Sequence, residues 1–311
     1  MGKFRVSLVS LYGSYLLRSF KSAGLQSQTI PLGDDHGTVV HMWAPPSSKS
    51  SSSSSKPALV LLHGFGPPAA WQWQTQVGPL STHFDLYLPD LIFFGGSDTG
   101  PSGPRTVEFQ AQSVVRALDR AGVERFSVAG TSYGGFVAYH VARACGERVE
   151  GVVIASSDVG RGKEDDEELL RKAGVDSIHE LMLPTSVKTL RTLGALCVYR
   201  TARFVPDFLW RDLIQTLIVP NREKKVELLE ALKWGKQSPD ITPLPQEVLI
   251  VWGEHDRIFP LEKAHVLQKK LGERTRLEVI KKSAHVPQIE DPRIFNTTVK
   301  DFLLNLPKSS I

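Results

Sequence analysis

The chain has 311 residues, of which 41% are hydrophobic and 23% charged, and its formal net charge is +4 at pH 7. This length allows one large α/β domain with an insertion. The mild charge, without a basic stripe between aromatic residues, argues against nucleic acid as a partner. Two cysteines cannot build a disulfide framework, so a reducing compartment, the cytoplasm by default, is expected. No run of residues is apolar for long enough to span a membrane.

The first 26 residues are predicted to form an N-terminal amphipathic segment. Polar positions 3, 7, 10, 14, 18 and 21 recur at helical spacing, and no acidic residue precedes Asp34. Residues 1–24 can therefore lie in a membrane interface as a peripheral contact, or the helix can dock on the protein's own surface, and the pattern allows both. The apolar side of this segment consists of Phe4, Leu8, Leu11, Tyr12 and Tyr15.

The rest of the chain alternates between strand-like and helix-like stretches, after a leading hairpin and a serine-rich loop at 45–56. This alternation predicts an α/β fold with a mostly parallel, doubly wound sheet. The hairpin is expected at 28–30 and 38–43, buried strands at 58–62, 85–89, 126–130, 150–155, 248–252 and 276–280, and helices at 106–121, 132–145, 261–272 and 293–305.

The loop that follows the first buried strand carries a candidate oxyanion-hole donor. It reads His-Gly-Phe-Gly over 63–66, and the backbone N–H of Phe65 can point at a developing negative charge. His63 is expected to orient the loop rather than to react. The same glycines fit a dinucleotide fingerprint, but Pro67 and Pro68 lack the N–H groups that a pyrophosphate needs. No cofactor is therefore expected, and no metal, because no Cys/His cluster has zinc spacing.

Ser132 is the candidate nucleophile. It lies in a G-x-S-x-G pattern between an apolar run and a helix-like stretch, where Gly130 and Gly134 allow a sharp turn with close backbone approach. Such a turn presents the serine hydroxyl at the N-terminus of the following helix. The N–H of Tyr133, directly after the nucleophile, is the second expected oxyanion-hole donor.

The composition changes between residues 157 and 242, which are predicted to form a helical cap, or lid, over the nucleophile. The change divides the α/β core into residues 27–156 and residues 243–311. An acidic run at 163–168 fits a solvated helix face. The apolar residues expected to face the pocket or the core are Leu181, Met182, Leu183, Leu193, Leu196, Phe204, Phe208, Leu209 and Trp210.

The acid and the base follow the last two strands. Asp256 comes after the strand at 248–252, and His285 comes after the strand at 276–280. A neutral serine is a poor nucleophile, so His285 is expected to take its proton, and an acid must hold the histidine in one tautomer. Glu254 competes for the acid position, and Asp256 is favoured. The chain order Ser…Asp…His is that of α/β hydrolases.

Taken together, these motifs resemble those of serine hydrolases with the α/β-hydrolase fold, in particular the monoacylglycerol-lipase-like and carboxylesterase-like members with a helical lid. The resemblance runs from about residue 27 to the C-terminus, interrupted by the expected lid. It is specific for fold and triad and poorly specific for substrate. The matching segments are His63–Gly66, Pro89–Leu91, Gly95–Asp98, Gly130–Gly135, Trp252–Asp256 and His285.

The predicted activity is hydrolysis of carboxylic esters with lipophilic or small aromatic acyl groups, through an acyl-enzyme on Ser132. Three alternatives remain: a C–C bond hydrolase or a thioesterase of the same fold, and a hydrolase-derived receptor for a small ligand. Epoxide hydrolases and haloalkane dehalogenases of this fold are disfavoured, because those relatives need a carboxylate at the position where this chain has Ser132. The oligomeric state stays open.

Four further residues are candidates for the substrate pocket, and one C-terminal feature bears on localisation. Trp71 follows the oxyanion loop, where core packing and a pocket position are both open, as they are for Trp73. The last three residues, 309–311, loosely resemble a peroxisomal address, so the peroxisome is an alternative to the cytoplasm. The candidate pocket residues are Trp71, Leu183, Phe208 and Val286.

Overall fold

The architecture is a single twisted sheet with helices on both faces. A computed structural model describes residues 7–46, 56–201, 205–232 and 241–307. The sheet has eight strands in the order β1-β2-β4-β3-β5-β6-β7-β8. The strands are β1 (Gln26–Pro31), β2 (Val39–Ala44), β3 (Ala58–Leu62), β4 (Asp85–Pro89), β5 (Phe126–Thr131), β6 (Val149–Ala155), β7 (Glu247–Gly253) and β8 (Thr275–Ile280).

The helices fill the segments between the strands. The described helices are α1 (Leu8–Ser22), α2 (Ala69–Gln72), α3 (Val77–Ser81), α4 (Val107–Arg120), α5 (Tyr133–Ala144), α6 (Lys163–Ala173), α7 (Ile178–Met182), α8 (Val187–Cys197), α9 (Asp207–Leu213), α10 (Arg222–Ala231), α11 (Leu261–Leu271), α12 (Pro287–Glu290) and α13 (Pro292–Leu304), and a π-helical turn, Ile214–Ile218, extends α9.

The pairing of the strands explains why the central ones are almost wholly apolar. From β4 to β8 the pairs are parallel, whereas β1 and β2 form an antiparallel hairpin that joins the sheet at β4. Parallel strands carry helices on both faces, so both sides of β5 are buried. The predicted α/β-hydrolase fold is confirmed, and the predicted strands and long core helices agree with the observed bounds within one or two residues.

The sheet order brings distant loops to one edge. Strands β5, β6, β7 and β8 are parallel neighbours, so the loops at their carboxyl ends lie side by side. Ser132 follows β5, Asp256 follows β7 and His285 follows β8. Residues separated by more than a hundred positions in the sequence therefore meet above the same edge.

Helix α1 docks on the body of the protein. Ser7 caps it, because its Oγ accepts a hydrogen bond from the Ser10 N–H, and Val9, Leu16 and Phe20 are buried. The helix contacts α2 and α3 of the core and α9. Docking, one of the two interpretations of this segment, is what the structure shows. The predictions for residues 3–6 lie outside the described residues.

The segment between β6 and β7 contains α6 to α10 and separates the two parts of the core. Among its described residues, short loops lie between these helices, and the bounds of the segment and its role as a lid stay predictions. Phe204, most of the serine-rich loop and residues 309–311 lie outside the described residues. Within the described ranges, no helix is both long and apolar enough to cross a membrane.

Candidate active site

Ser132 sits on a strained turn between β5 and α5. Its backbone has a φ of 50° and a ψ of −121°, a conformation that L-residues rarely adopt. The turn is tight, because a side chain at Gly130 would collide with the Gly134 carbonyl, as the sequence predicts. The turn is tied to the sheet by the Ser132 N–H, which donates to the Ala155 carbonyl at 2.9 Å. Ser132 is half-buried, so its hydroxyl stays reachable.

His285 lies between Ser132 and Asp256. Its Nε2 is 3.0 Å from the Ser132 Oγ, and its Nδ1 is 2.9 Å from the Asp256 Oδ2. An ionised carboxylate can only accept, so Nδ1 carries the proton and the Nε2 lone pair faces the hydroxyl. This is the tautomer that can remove the Ser132 proton.

Asp256 is itself held in place, whereas Glu254 points elsewhere. The Asp256 side chain is fully buried, and its Oδ1 accepts hydrogen bonds from the N–H groups of Ile258 and Phe259, both at 2.9 Å. Glu254 is exposed and pairs with His255. Of the two candidate acids, Asp256 is therefore the one that contacts His285.

The two expected oxyanion-hole donors are available. No described residue accepts a hydrogen bond from the backbone N–H of Phe65 or Tyr133. The loop with Phe65 lies against the nucleophile, since a Cβ on Gly64 would be only 3.0 Å from the Ser132 Cβ. Free N–H groups beside a nucleophilic hydroxyl can stabilise an oxyanion without reorganisation.

Two side chains hold the oxyanion loop. Gln72 accepts from the Gly64 N–H at 2.8 Å and donates to its carbonyl at 2.9 Å. His63 donates from Nδ1 to the same carbonyl at 2.8 Å, while its Nε2 accepts from the Leu91 N–H at 2.9 Å. Burial lowers the pKa of His63, so the ring is neutral, as this donor–acceptor pattern requires. His63 orients the loop, as expected from the sequence.

Glu290 was not expected from the sequence, and it joins the base loop to the helical insertion. Its Oε2 accepts from the Ala284 N–H at 2.7 Å, next to His285, and its Oε1 accepts from the Tyr199 N–H at 2.6 Å. The His285 N–H donates to the Cys197 carbonyl at 3.0 Å. The end of α8 thus braces the loop that carries the base. No local pattern marks Glu290, because Tyr199 is 91 positions away.

The acid loop is braced by the same end of α8. Arg257 donates from Nη1 to the Ala195 carbonyl at 2.7 Å. The ring of Tyr199 stacks on His255, with centroids 4.6 Å apart. Both neighbours of Asp256 in the chain therefore contact the insertion. A shift of α8 would move the acid loop and the base loop together.

The four candidate pocket residues differ in their burial and in the elements that they contact. Val286 follows His285 and is half-buried, and Leu183 is buried in the core. Trp71 packs edge-on against Tyr12 of α1, with ring centroids 5.4 Å apart. Phe208 is exposed on α9. The described contacts of Trp71 are thus with α1, and Trp73 is fully buried in the core.

The sequence of the chain is similar to those of known hydrolases. The model of a family described as the alpha/beta hydrolase family matches residues 59–298. A 2-hydroxy-6-oxo-6-phenylhexa-2,4-dienoate hydrolase of Comamonas testosteroni is 27% identical over 256 residues, covering 79% of this chain and 87% of that protein. A 2-hydroxymuconate semialdehyde hydrolase of Pseudomonas sp. strain CF600 is 28% identical, covering 81% and 89%.

Solved structures show the same fold. A membrane phospholipase A described as a bacterial virulence factor superposes with a TM-score of 0.76 at 21% identity, covering 96% of this chain and 92% of its own. A 2-hydroxy-6-oxo-6-phenylhexa-2,4-dienoate hydrolase from Rhodococcus sp. strain RHA1 superposes with a TM-score of 0.74 at 24% identity, covering 89% and 98%. At these identities the likeness concerns the fold alone.

Proposed function

Because the chain belongs to the alpha/beta hydrolase family, we propose that it is a hydrolase that works through an acyl-enzyme on Ser132. The observation that carries this proposal is the hydrogen-bonded chain from the Ser132 Oγ through His285 to Asp256. These three hydrogen-bonded residues supply a nucleophile, a base and an orienting acid in the geometry that acyl transfer needs. The N–H groups of Phe65 and Tyr133 complete the proposed site.

In the proposed reaction the Ser132 oxygen bonds to the substrate carbonyl carbon while His285 Nε2 takes the hydroxyl proton. The resulting oxyanion is held by the N–H groups of Phe65 and Tyr133. When this intermediate collapses, the bond to the leaving group breaks and His285 returns its proton to that group. Water then adds to the acyl-enzyme by the same route, which releases a carboxylic acid and restores Ser132.

The relatives favour a carbon–carbon bond as the bond that is cleaved. A 2-hydroxy-6-oxo-dienoate, the substrate in several of their names, contains no ester and no amide. Water can split such a molecule only at the carbon–carbon bond beside its 6-oxo group. The leaving carbon, C5, needs stabilisation as a dienolate. This becomes possible once the proton of the 2-hydroxyl group has moved to C5, because the 2-oxo group so formed accepts the electron pair of the broken bond through the C3–C4 double bond. We therefore infer that the first candidate substrate is an acid of this kind, whose tautomer is a vinylogous 1,5-diketone.

A carboxylic ester is the second candidate, and the surroundings of the proposed site favour it. The ring of Phe259 lies 5.2 Å from His285, and the ring of Phe65 lies 6.0 Å from that of Tyr133, centroid to centroid. These rings suit an uncharged apolar acyl group, whereas a dienoate carries a carboxylate. An ester also needs no proton shift at carbon, since its leaving oxygen takes the proton from His285 directly.

One set of assays tests the proposal and separates the two bonds. Fluorophosphonate labelling of the wild type and of Ser132→Ala reports on the nucleophile alone, and labelling should be lost in the variant. Turnover of 2-hydroxy-6-oxo-6-phenylhexa-2,4-dienoate is then compared with that of 4-nitrophenyl esters of increasing chain length, as kcat/KM. Preference for the dienoate supports the C–C hydrolase, and preference for the esters supports the esterase. Labelling of Ser132 without turnover of either class would point to a receptor instead.

A further inference from the structure

Helix α1 carries a second apolar face that its docking leaves exposed. The docked face consists of Val9, Leu16 and Phe20. The other face occurs at positions i, i+3, i+4 and i+7, so its side chains form one continuous stripe along the helix. This outer stripe consists of Leu8, Leu11, Tyr12 and Tyr15, which are 49%, 55%, 45% and 63% exposed. Tyr12 lies at its inner border, where its ring also packs edge-on against Trp71.

Contacts between α1 and the body of the protein fix the orientation of the helix, so that the outer stripe faces away from the body. The Val9 N–H donates to Asp212 Oδ2 at 2.9 Å, which fixes the first turn of α1 to α9. A Cβ on Gly13 would lie 3.4 Å from the Trp71 ring, so the middle of the helix also sits close to the body. Single exposed apolar residues are ordinary, but four in one stripe on a fixed helix call for a covering surface.

Helix α9, which contacts α1, carries a further exposed apolar residue. Phe208 is 56% exposed and precedes Asp212 by one helical turn, so both residues lie on the same side of α9. Asp212 bonds to the first turn of α1, which places Phe208 on the side of α9 that faces that turn. Phe208, a candidate pocket residue from the sequence, is thus exposed near the start of α1.

The charges on α1 indicate what covers the outer stripe. Arg18 is one turn beyond Tyr15, and Lys21 lies in the last turn; both are exposed. The helix contains no acidic residue. The nearby acid Asp212 accepts hydrogen bonds at the start of α1, away from the two cations. The apolar stripe thus ends in positive charge, and no acidic side chain in the described part of the chain forms an ion pair with Arg18 or Lys21.

We propose that the outer stripe of α1 docks on a lipid surface with anionic headgroups. The apolar side chains would enter the region below the headgroups, while Arg18 and Lys21 remain at headgroup level. A second copy of the chain fits less well, because α1 contains no acidic residue that could pair with the Arg18 and Lys21 of a facing α1. Docking through one face and lipid contact through the other are thus compatible roles of the same helix.

The test uses the full-length protein and vesicles of phosphatidylcholine, with and without phosphatidylserine, in a sedimentation assay. Wild type should bind the anionic vesicles, and added salt should weaken binding because the cations are screened. The double variant Leu11→Ser/Tyr15→Ser should bind at least about tenfold more weakly with an unchanged melting temperature. The matched variant Leu16→Ala, on the docked face, should melt at a lower temperature and still bind.

Two results would overturn the proposal. The first is a wild-type protein that binds neither kind of vesicle, or a Leu11→Ser/Tyr15→Ser variant that binds as well as wild type. The second is a wild-type dimer in solution that becomes a monomer in the same double variant, since a second copy would then be the occupant of the stripe. The charge variant Arg18→Glu/Lys21→Glu adds an independent arm and should bind anionic vesicles at least about tenfold more weakly.

Discussion

The described part of the protein contains two hydrogen-bonded chains of serine, histidine and aspartate, and they differ in the chemistry that their surroundings allow. In the first, at the carboxyl ends of the strands, the two links are 3.0 and 2.9 Å long. In the second, in the region of the leading hairpin, both are 2.8 Å. The first chain is Ser132–His285–Asp256 and the second is Ser27–His41–Asp90.

The backbone around the serine distinguishes them. Ser132 has a positive φ and stands directly before α5, whose first N–H, that of Tyr133, has no acceptor among the described residues. Ser27 is the second residue of the extended strand β1 and is exposed, so no helix N-terminus follows it. Asp90 also accepts from the Ala69 N–H at 2.9 Å, which fixes the start of α2. The three residue types therefore do not define an active site without a strained turn and free N–H donors.

The largest expected effect separates the two serines. Ser132→Ala should lower kcat/KM by roughly 10⁶-fold, because only the oxyanion hole and binding then remain. Ser27→Ala should stay within about twofold of wild type, as expected for an exposed strand residue. Both are measured on whichever substrate class is turned over, with circular dichroism to check folding. Equal losses in the two variants would mean that the second chain takes part in catalysis.

The two aspartates should differ in the kind of defect, not only in its size. Asp256→Asn should reduce kcat by about 10⁴-fold with the fold intact, because an amide favours the wrong tautomer of His285. Asp90→Asn should instead lower the free energy of unfolding by about 1–3 kcal/mol, through the buried hydrogen bonds it weakens. Steady-state kinetics and thermal melts separate these outcomes.

Glu254→Gln serves as the control for the acid position and should keep near-normal kcat. An inactive Glu254→Gln beside an active Asp256→Asn would show that the acid has been assigned to the wrong residue. The exposed position of Glu254, paired with His255, is the reason to expect otherwise.

The first chain has a brace that the second lacks, and Glu290→Gln tests it. The new amide would turn an N–H group toward the N–H of Ala284 or Tyr199, which displaces the loop of His285. We expect kcat to fall roughly ten- to hundredfold with little change in KM, since the base is misplaced and not removed. Glu262→Gln, the same substitution at an exposed position of α11, is the control. A change in melting temperature with an unaltered kcat would assign Glu290 a structural role only.

The smallest expected effect is on stability and concerns His63, which supports the oxyanion loop and belongs to neither hydrogen-bonded chain. Burial lowers its pKa in the folded state, so below pH 6.5, its ordinary value, the unfolded chain binds the proton more readily. Stability should therefore fall with decreasing pH, by at most about 1.4 kcal/mol per pH unit from this group. Denaturant melts between pH 7 and 5 should show a shallower slope for His63→Gln than for wild type. An unchanged slope would place the acid sensitivity in other groups.

Local chemistry was sufficient to predict much of this protein. Apolar runs bounded by glycine and proline identified the strands, and the period of the apolar residues identified the long core helices. The G-x-S-x-G pattern located the turn of Ser132, because only glycine tolerates the close approach seen at Gly130 and Gly134. The order of Ser132, Asp256 and His285, each after a strand, indicated the fold because parallel strands end at one edge.

What only the tertiary structure decided depends on side chains that meet across long stretches of sequence. The sequence alone left Glu254 and Asp256 as competitors, and their orientation came from the turn after β7, where the Ile258 and Phe259 N–H groups hold Asp256 toward His285. The brace from Glu290 to Tyr199 and the place of Trp71 beneath α1 have no local signal. A helical period shows that α1 has an apolar side, but which apolar residues are buried depends on the surfaces of α2, α3 and α9, which exist only once the chain has folded.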